Sequence, residues 1–215
     1  RPLASGPLFS AIWTDDVNNE VLHRVRYETS STVGSLWTTT GGNIYYSPSD
    51  KLTASYGPTD IRLSTYIGTA PTGSYVNKYF ASSRGGRVVD IKAIRIAEMY
   101  LIRAEANARK ATPDVTAGAA DLNELRINRI GGYVNQTFPD ANALFTAVLE
   151  ERYKELAFEG SRFFDLKRNN LSVQRFASDA SLAWQTLDAG NFRFVFPIPN
   201  SELLANPAMV QNPGY

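Results

Sequence analysis

The stretch EERYKELAFEGSRFFDLKRNN, Glu150–Asn170, sets three glutamates four residues apart, Glu151, Glu155 and Glu159, among arginines and lysines. On a helix that spacing brings them to one face, about 6 Å apart along the axis. Two carboxylates could serve glycoside hydrolysis if they flanked a cleft at roughly 5–9.5 Å. Each acid, however, has Arg152, Lys154 or Arg162 within three or four residues. Such neighbours hold a carboxyl pKa down, whereas a general acid needs it raised. The residues therefore favour a clamp over a catalytic cluster.

Helical projection extends that reading. Over about 141–159, Phe145, Val148, Leu149 and Leu156 form the apolar stripe, and Arg152 and Glu159 fall in its middle. Over about 92–110, Ile94, Ala97, Leu101 and Ala108 form a stripe that includes Glu98 and Glu105. Over about 117–130, Leu122 and Leu125 share their face with Arg126 and Arg129. Three helices thus aim charge inward. An unpaired buried charge costs several kcal/mol, so acids of one helix must meet arginines of another. The expected pairing sets Glu98 and Glu105 against Arg126 and Arg129, with Arg152 and Glu159 forming or extending a second set.

Asp140 and Gly160 bracket the third helix, Gly131 and Gly132 close the second, and Pro113 and Asp114 punctuate the gap before it. A shorter helix is expected near 172–187, followed by a strand that places Phe192, Phe194 and Phe196 on one face, with a turn-rich tail strapped to the surface. Residues 1–90, rich in Gly, Pro, Ser, Thr and Tyr with turn signals at TTTGGN, SPSD and YGPTD, read as loops with one or two short strands. The expected organisation is a loop-rich part over 1–90, assigned as the ligand-facing one, and a helical core over 91–215, within one structural domain.

Composition narrows the function. The 215 residues are 43% hydrophobic, enough for a sizeable core, and 22 basic residues nearly balance 21 acidic ones, so the electrostatic footprint of a nucleic-acid binder is missing. Without cysteine there is no disulfide, thiolate metal site or thiol nucleophile. No apolar run approaches the ~20 residues of a membrane span. The chain opens on Arg1 instead of Met, so a preceding segment is expected. His23, the one histidine, alternates with Val and Arg in an expected strand and reads as solvated, not as a metal ligand. SRGGRVVD lacks the spacing of a phosphate loop, and no GxSxG elbow occurs. The remaining candidates are loop aromatics: Trp13, Trp37, Tyr45, Tyr46, Tyr56 and Tyr66. Aromatic faces beside amides can stack on flat ligands such as sugar rings. Trp37, with Asn43, Tyr45, Tyr46 and Tyr56, forms the expected ligand platform, and Trp37 looks the most exposed. A structural role in small cores competes for each of them.

Four blocks, DIKAIRIAEMYLIRAEANAR, AADLNELRINR, LEERYKELAFEGSRFFDLKRN and FPIPNSELLANPAMVQNPGY, resemble in order and spacing the SusD/RagB family of outer-membrane lipoproteins from Bacteroidetes. DIRLSTYI at 60–67 and NKYF at 77–80 resemble weaker upstream blocks of that family. The resemblance implies a mainly α fold of tetratricopeptide-like helix pairs with a loop-rich region containing short strands, in a protein of roughly twice this length. It implies a non-enzymatic role, capturing glycans, or in some members peptides, at the extracellular face of the outer membrane for a SusC-like TonB-dependent transporter, with no cofactor and no metal. The alternatives are a helical scaffold for a protein or peptide partner and, more remotely, a glycoside hydrolase. Glu98, Glu105, Arg126, Arg129, Arg152, Glu155, Glu159, Arg162 and Asp165 are accordingly assigned to an architectural ion network.

Overall fold

The computed structural model describes residues 2–29, 32–38 and 43–215. The chain is mainly helical and divides into two compact units, one ending at Ser161 and one running from Arg162 to Tyr215. That division does not coincide with the change of composition near Ile91, where β6 (Ile91–Arg95) runs directly into α5 (Ile96–Arg109).

In the first unit, α5, α6 (Val115–Ile127) and α7 (Ala141–Glu155) pack together. Asp114 and Asp140 cap α6 and α7, their carboxylates accepting from the amides of Ala117 and Ala143. Small residues set the close approach of the helices. A Cβ at Gly118 would lie 2.6 Å from Leu144 Cδ2 and 3.0 Å from the Ala104 carbonyl. Ala97, Leu101, Ala104, Leu122, Leu125, Leu144 and Val148 form the buried core of this bundle. Two of the three helices are shorter than the apolar pattern suggests: residues 91–95 are a strand, and α7 stops at Glu155.

The first ninety residues are less irregular than expected. The described residues among them hold four short helices, α1 (Pro7–Trp13), α2 (Thr32–Trp37), α3 (Asp50–Ser55) and α4 (Ile61–Tyr66). Ser49 caps α3 and Asp60 caps α4. Strand β1 (Val21–Val25) pairs antiparallel with β6, and β2 (Ile67–Ala70) with β3 (Gly73–Val76). Strands β4 (Ala81–Ser82) and β5 (Gly85–Gly86) pair across a tight turn at the start of SRGGRVVD. A second core gathers Phe9, Ile12, Trp13, Leu52, Tyr56, Tyr66, Val76 and Tyr79. The start of α4 is tied to the end of α6 by backbone bonds from Ile61 N to Arg129 O (2.9 Å) and Gly131 N to Thr59 O (3.0 Å). That tie brings Arg62 beside Arg129. Of the turn signal TTTGGN, residues 39–42 lie outside the described residues.

The second unit corrects two expectations. Residues 172–187 form no helix: β7 (Val173–Gln174) pairs with β8 (Thr186–Leu187), and Leu182–Trp184 is a 3-10 turn between them. Phe192–Phe194 is a 3-10 turn, not a strand, so the alternating phenylalanines do not share one sheet face. Phe163 of α8 (Ser161–Arg168) stacks on Phe194 and Phe196, with ring centroids 5.6 and 5.1 Å away, while Phe192 meets Tyr215 edge-on at 5.0 Å. Beyond α9 (Asn200–Ala205), the tail is strapped down by the Gln211 amide, which accepts from Ile198 N at 2.7 Å and donates to Ile198 O at 2.9 Å. Gly214, at φ +94°, lies where a Cβ would come within 2.5 Å of the Phe192 ring, so the turn requires glycine.

Candidate functional site

Two groupings bear on function: a buried lattice of charges in the first unit, and the aromatic side chains around Trp37. The lattice is built from Arg62 on α4, Arg95 at the end of β6, Arg126 and Arg129 at the end of α6, and Glu151 and Glu155 on α7, with Glu20, Asp60, Lys78 and Glu159 from the connections. All ten are buried or nearly so. The Glu155 carboxylate accepts from Arg62 (3.1 Å), Arg95 (2.9 Å) and Arg129 (3.1 Å) at once. Arg62 also forks onto Asp60 and donates to Glu151 at 2.6 Å, and Arg126 Nε donates to the other Glu151 oxygen at 2.6 Å. Arg95 bridges Glu20 and Glu159, and Arg129 bridges Glu20 and Glu155. Five cations thus meet five anions, so the group carries no net formal charge.

The electrostatics follow from this closure. Burial alone would raise the Glu151 carboxyl, but Arg62, Lys154 and Arg126 outweigh it and hold the pKa at about 2. Glu155 is likewise driven well below the usual carboxylate range, against burial, by Arg129, Arg95 and Arg62. Arg95 and Lys78 do the same to Glu159. These acids remain ionised and enclosed, so none is poised to deliver a proton to a substrate. Lys78 Nζ lies 3.8 Å from the Tyr66 ring centroid and 4.1 Å from that of Trp13, donating to the Ala157 carbonyl and to Glu159. Burial lowers its pKa to about 7, partly opposed by Glu159.

In a smaller cluster Asp15 takes Lys92 and Arg84, and Asp90 takes Arg84 and, at 3.2 Å, Arg24. Among the described residues no group of three or more His, Asp or Glu is placed to hold a metal ion. His23 is exposed on β1 opposite Ile94.

The model of the SusD family matches residues 26–215 of this sequence. The chain belongs to the SusD family. A SusD-like protein of Formosa agariphila, P38, is 31% identical over 177 residues, covering 77% of this chain and 33% of that protein. A SusD superfamily structure from Bacteroides thetaiotaomicron is 25% identical with a TM-score of 0.79, covering 98% of this chain and 52% of the other. The surface glycan-binding protein A of Bacteroides uniformis, 20% identical with a TM-score of 0.71, shares the fold over 99% of this chain and 52% of its own. The chain spans a quarter to a third of the length of the curated relatives it matches and about half of these structures.

Within this SusD-family chain, the residues singled out from sequence are distributed unevenly. Arg126, Arg129, Glu155 and Glu159 meet in the lattice, but their partners differ from those expected. Arg126 takes Glu151, Arg129 takes Glu20 and Glu155, and Glu98 pairs instead with Arg152, at 3.4 Å. The reason is register: α6 presents its arginines to α7 and to the segment before β1, while Glu98 on α5 faces α7. Glu105 is buried on α5. Arg162 and Asp165 belong to the second unit, where Arg168 donates to Asp165 at 2.8 Å.

Of the aromatic platform, Tyr45 and Tyr46 are 61% and 59% exposed and Asn43 is exposed beside them. Trp37 is not the most exposed of the set. It is half-buried, edge-on to Phe158 at 5.4 Å and to Tyr46 at 6.4 Å, so it backs Tyr46 from the core side. Tyr56 is buried, its hydroxyl donating to the Lys154 carbonyl, and offers no face to a ligand. Trp13 and Tyr66 are buried around Lys78. Sequence reasoning missed Glu20, Asp60, Arg62, Lys78 and Arg95. Asp60, Arg62 and Lys78 lie in the stretches DIRLSTYI and NKYF, so the resemblance of those stretches was the available signal. Among the described residues, no helix is long and apolar enough to cross a membrane.

Proposed function

We propose that this chain serves in capturing glycans at the extracellular face of the outer membrane, as a non-enzymatic component that hands them to a SusC-like TonB-dependent transporter. The observation that carries the reading is the exposure of Tyr45 and Tyr46, with Trp37 edge-on behind Tyr46. The two exposed rings offer apolar faces for pyranose stacking, and Asn43, also exposed, is the amide expected to serve the hydroxyls. Family membership supports the same reading, as does the fold shared with a surface glycan-binding protein. The closure of the carboxylates supports the non-enzymatic part of the reading, since Glu151, Glu155 and Glu159 are each engaged by at least two cations.

Titration calorimetry of the chain against a panel of neutral polysaccharides tests the proposal. Stacking contributes about 0.5–1.5 kcal/mol per contact beyond burial, so the expected affinity lies in the micromolar to millimolar range. Tyr45→Ala with Tyr46→Ala is expected to weaken it at least fivefold. Undiminished binding by that double variant would remove the site. Release of reducing ends from any bound glycan would point to an enzyme instead.

A further inference from the structure

We propose that the second unit carries a separate site for an acidic saccharide, centred on Trp184 and Arg193. Trp184 ends the 3-10 turn between β7 and β8 and is 57% exposed. The Arg193 guanidinium carbon lies 5.5 Å from the Trp184 ring centroid and 5.1 Å from that of Phe192, within reach of both rings. Arg175, on the strand side of the same hairpin, directs Nη1 at the Trp184 carbonyl at 3.4 Å. Neither arginine has an acidic partner among the described residues, in a molecule whose buried cations are otherwise met by carboxylates.

The ligand class follows from what these groups lack. An exposed indole face is a flat apolar surface that fits the apolar face of a sugar ring. Two uncompensated guanidinium groups beside it select a carboxylate or a sulfate ester, to which a guanidinium can donate in parallel. Contact with two rings orders Arg193 in advance, so little rotamer freedom is lost on binding. A neutral glycan would leave both charges unused, and an acidic peptide would leave the indole face without a flat partner. The inference rests on the glycan-binding reading but on different residues, in a different unit from Tyr45 and Tyr46.

Calorimetry of the full chain at low salt with oligogalacturonate, dextran sulfate, neutral dextran and poly-glutamate tests it. At least one of the two acidic saccharides is expected to bind more tightly than dextran and poly-glutamate, and which of them binds better names the anion. Arg193→Gln is expected to weaken that binding at least tenfold and Trp184→Ala at least fivefold, with melting temperatures within about two degrees of the parent. Raising the salt to 0.5 M should weaken it further, because exposed charges are then screened. The Tyr45→Ala, Tyr46→Ala double variant should leave it unchanged. The site is overturned if Arg193→Gln retains affinity within a factor of two, if neither acidic saccharide exceeds dextran, or if poly-glutamate binds equally well. Neutral-glycan binding that depends on Tyr45 and Tyr46 but not on Arg193 would leave the proposed function standing while removing this second site.

Discussion

Arg129 Nη2 donates to both carboxylate oxygens of Glu20, at 3.0 and 2.9 Å, although 109 residues separate the two in the chain. The same guanidinium reaches Glu155 through Nε and Nη2, and its carbon lies 4.1 Å from the Phe9 ring centroid. One side chain therefore joins α1, the start of β1, α6 and α7. Truncating it leaves Glu20 and Glu155 buried with fewer counter-charges, so Arg129→Ala is expected to cost about 3–5 kcal/mol. Arg103→Ala should cost less, at most about 1 kcal/mol, because its side chain is 65% exposed where it meets Asp121. Urea denaturation of the two variants orders them; equal losses would mean that the closed lattice has no special weight.

Acid stability follows from the depressed carboxyls. Glu151, held at about 2 in the fold, and Glu155 and Glu159, also lowered, bind fewer protons when folded than when unfolded. Their stabilisation is complete above the unfolded value near 4.5 and is lost as pH falls from there towards about 2. Melting temperature is expected to fall steeply across that window, with the midpoint of acid unfolding below pH 4. A melting temperature that is flat from pH 5 to pH 3 would contradict it.

Lys78 works in the opposite sense. Its folded pKa is lowered to about 7, so between about 7 and the ordinary 10.5 the unfolded chain binds the extra proton. Stability from this group therefore rises with pH across that interval, by up to about 1.4 kcal/mol per unit. Lys78→Met keeps the apolar stem between Trp13 and Tyr66 and removes the titration. The expected result is a flatter dependence of stability on pH from 7 to 10. An unchanged slope would assign the titration to another group.

How much of this was legible in sequence depended on the range of the interaction. The helices α6 and α7 could be placed because Asp114, Asp140 and the Leu and Ala spacing act over a few residues. The inward charges on them were visible for the same reason. Their partners were not, because Glu20, Arg62 and Arg95 lie outside any shared period and are brought in by the pairing of β1 with β6 and by the tie between α4 and α6. The six-residue helices α2, α3 and α4 are too short to show a 3.6-residue repeat. Alternation misled at Phe192–Phe196, where a 3-10 turn and stacking on Phe163 replace the strand. For the ligand platform, aromatics in Gly- and Ser-rich text look alike whether they face the core, as Tyr56 does, or solvent, as Tyr45 and Tyr46 do.

The role of EERYKELAFEG as a clamp is tested most directly at Glu155, whose carboxylate is shared by Arg62, Arg95 and Arg129. Glu155→Gln preserves shape and removes only the charge, so its unfolding free energy at pH 7, measured by urea denaturation, isolates the clamp. A loss of about 3–5 kcal/mol is expected, because three buried guanidinium groups then share fewer anions. A variant as stable as the parent would mean that these carboxylates do not hold the fold together and would reopen a catalytic role for them.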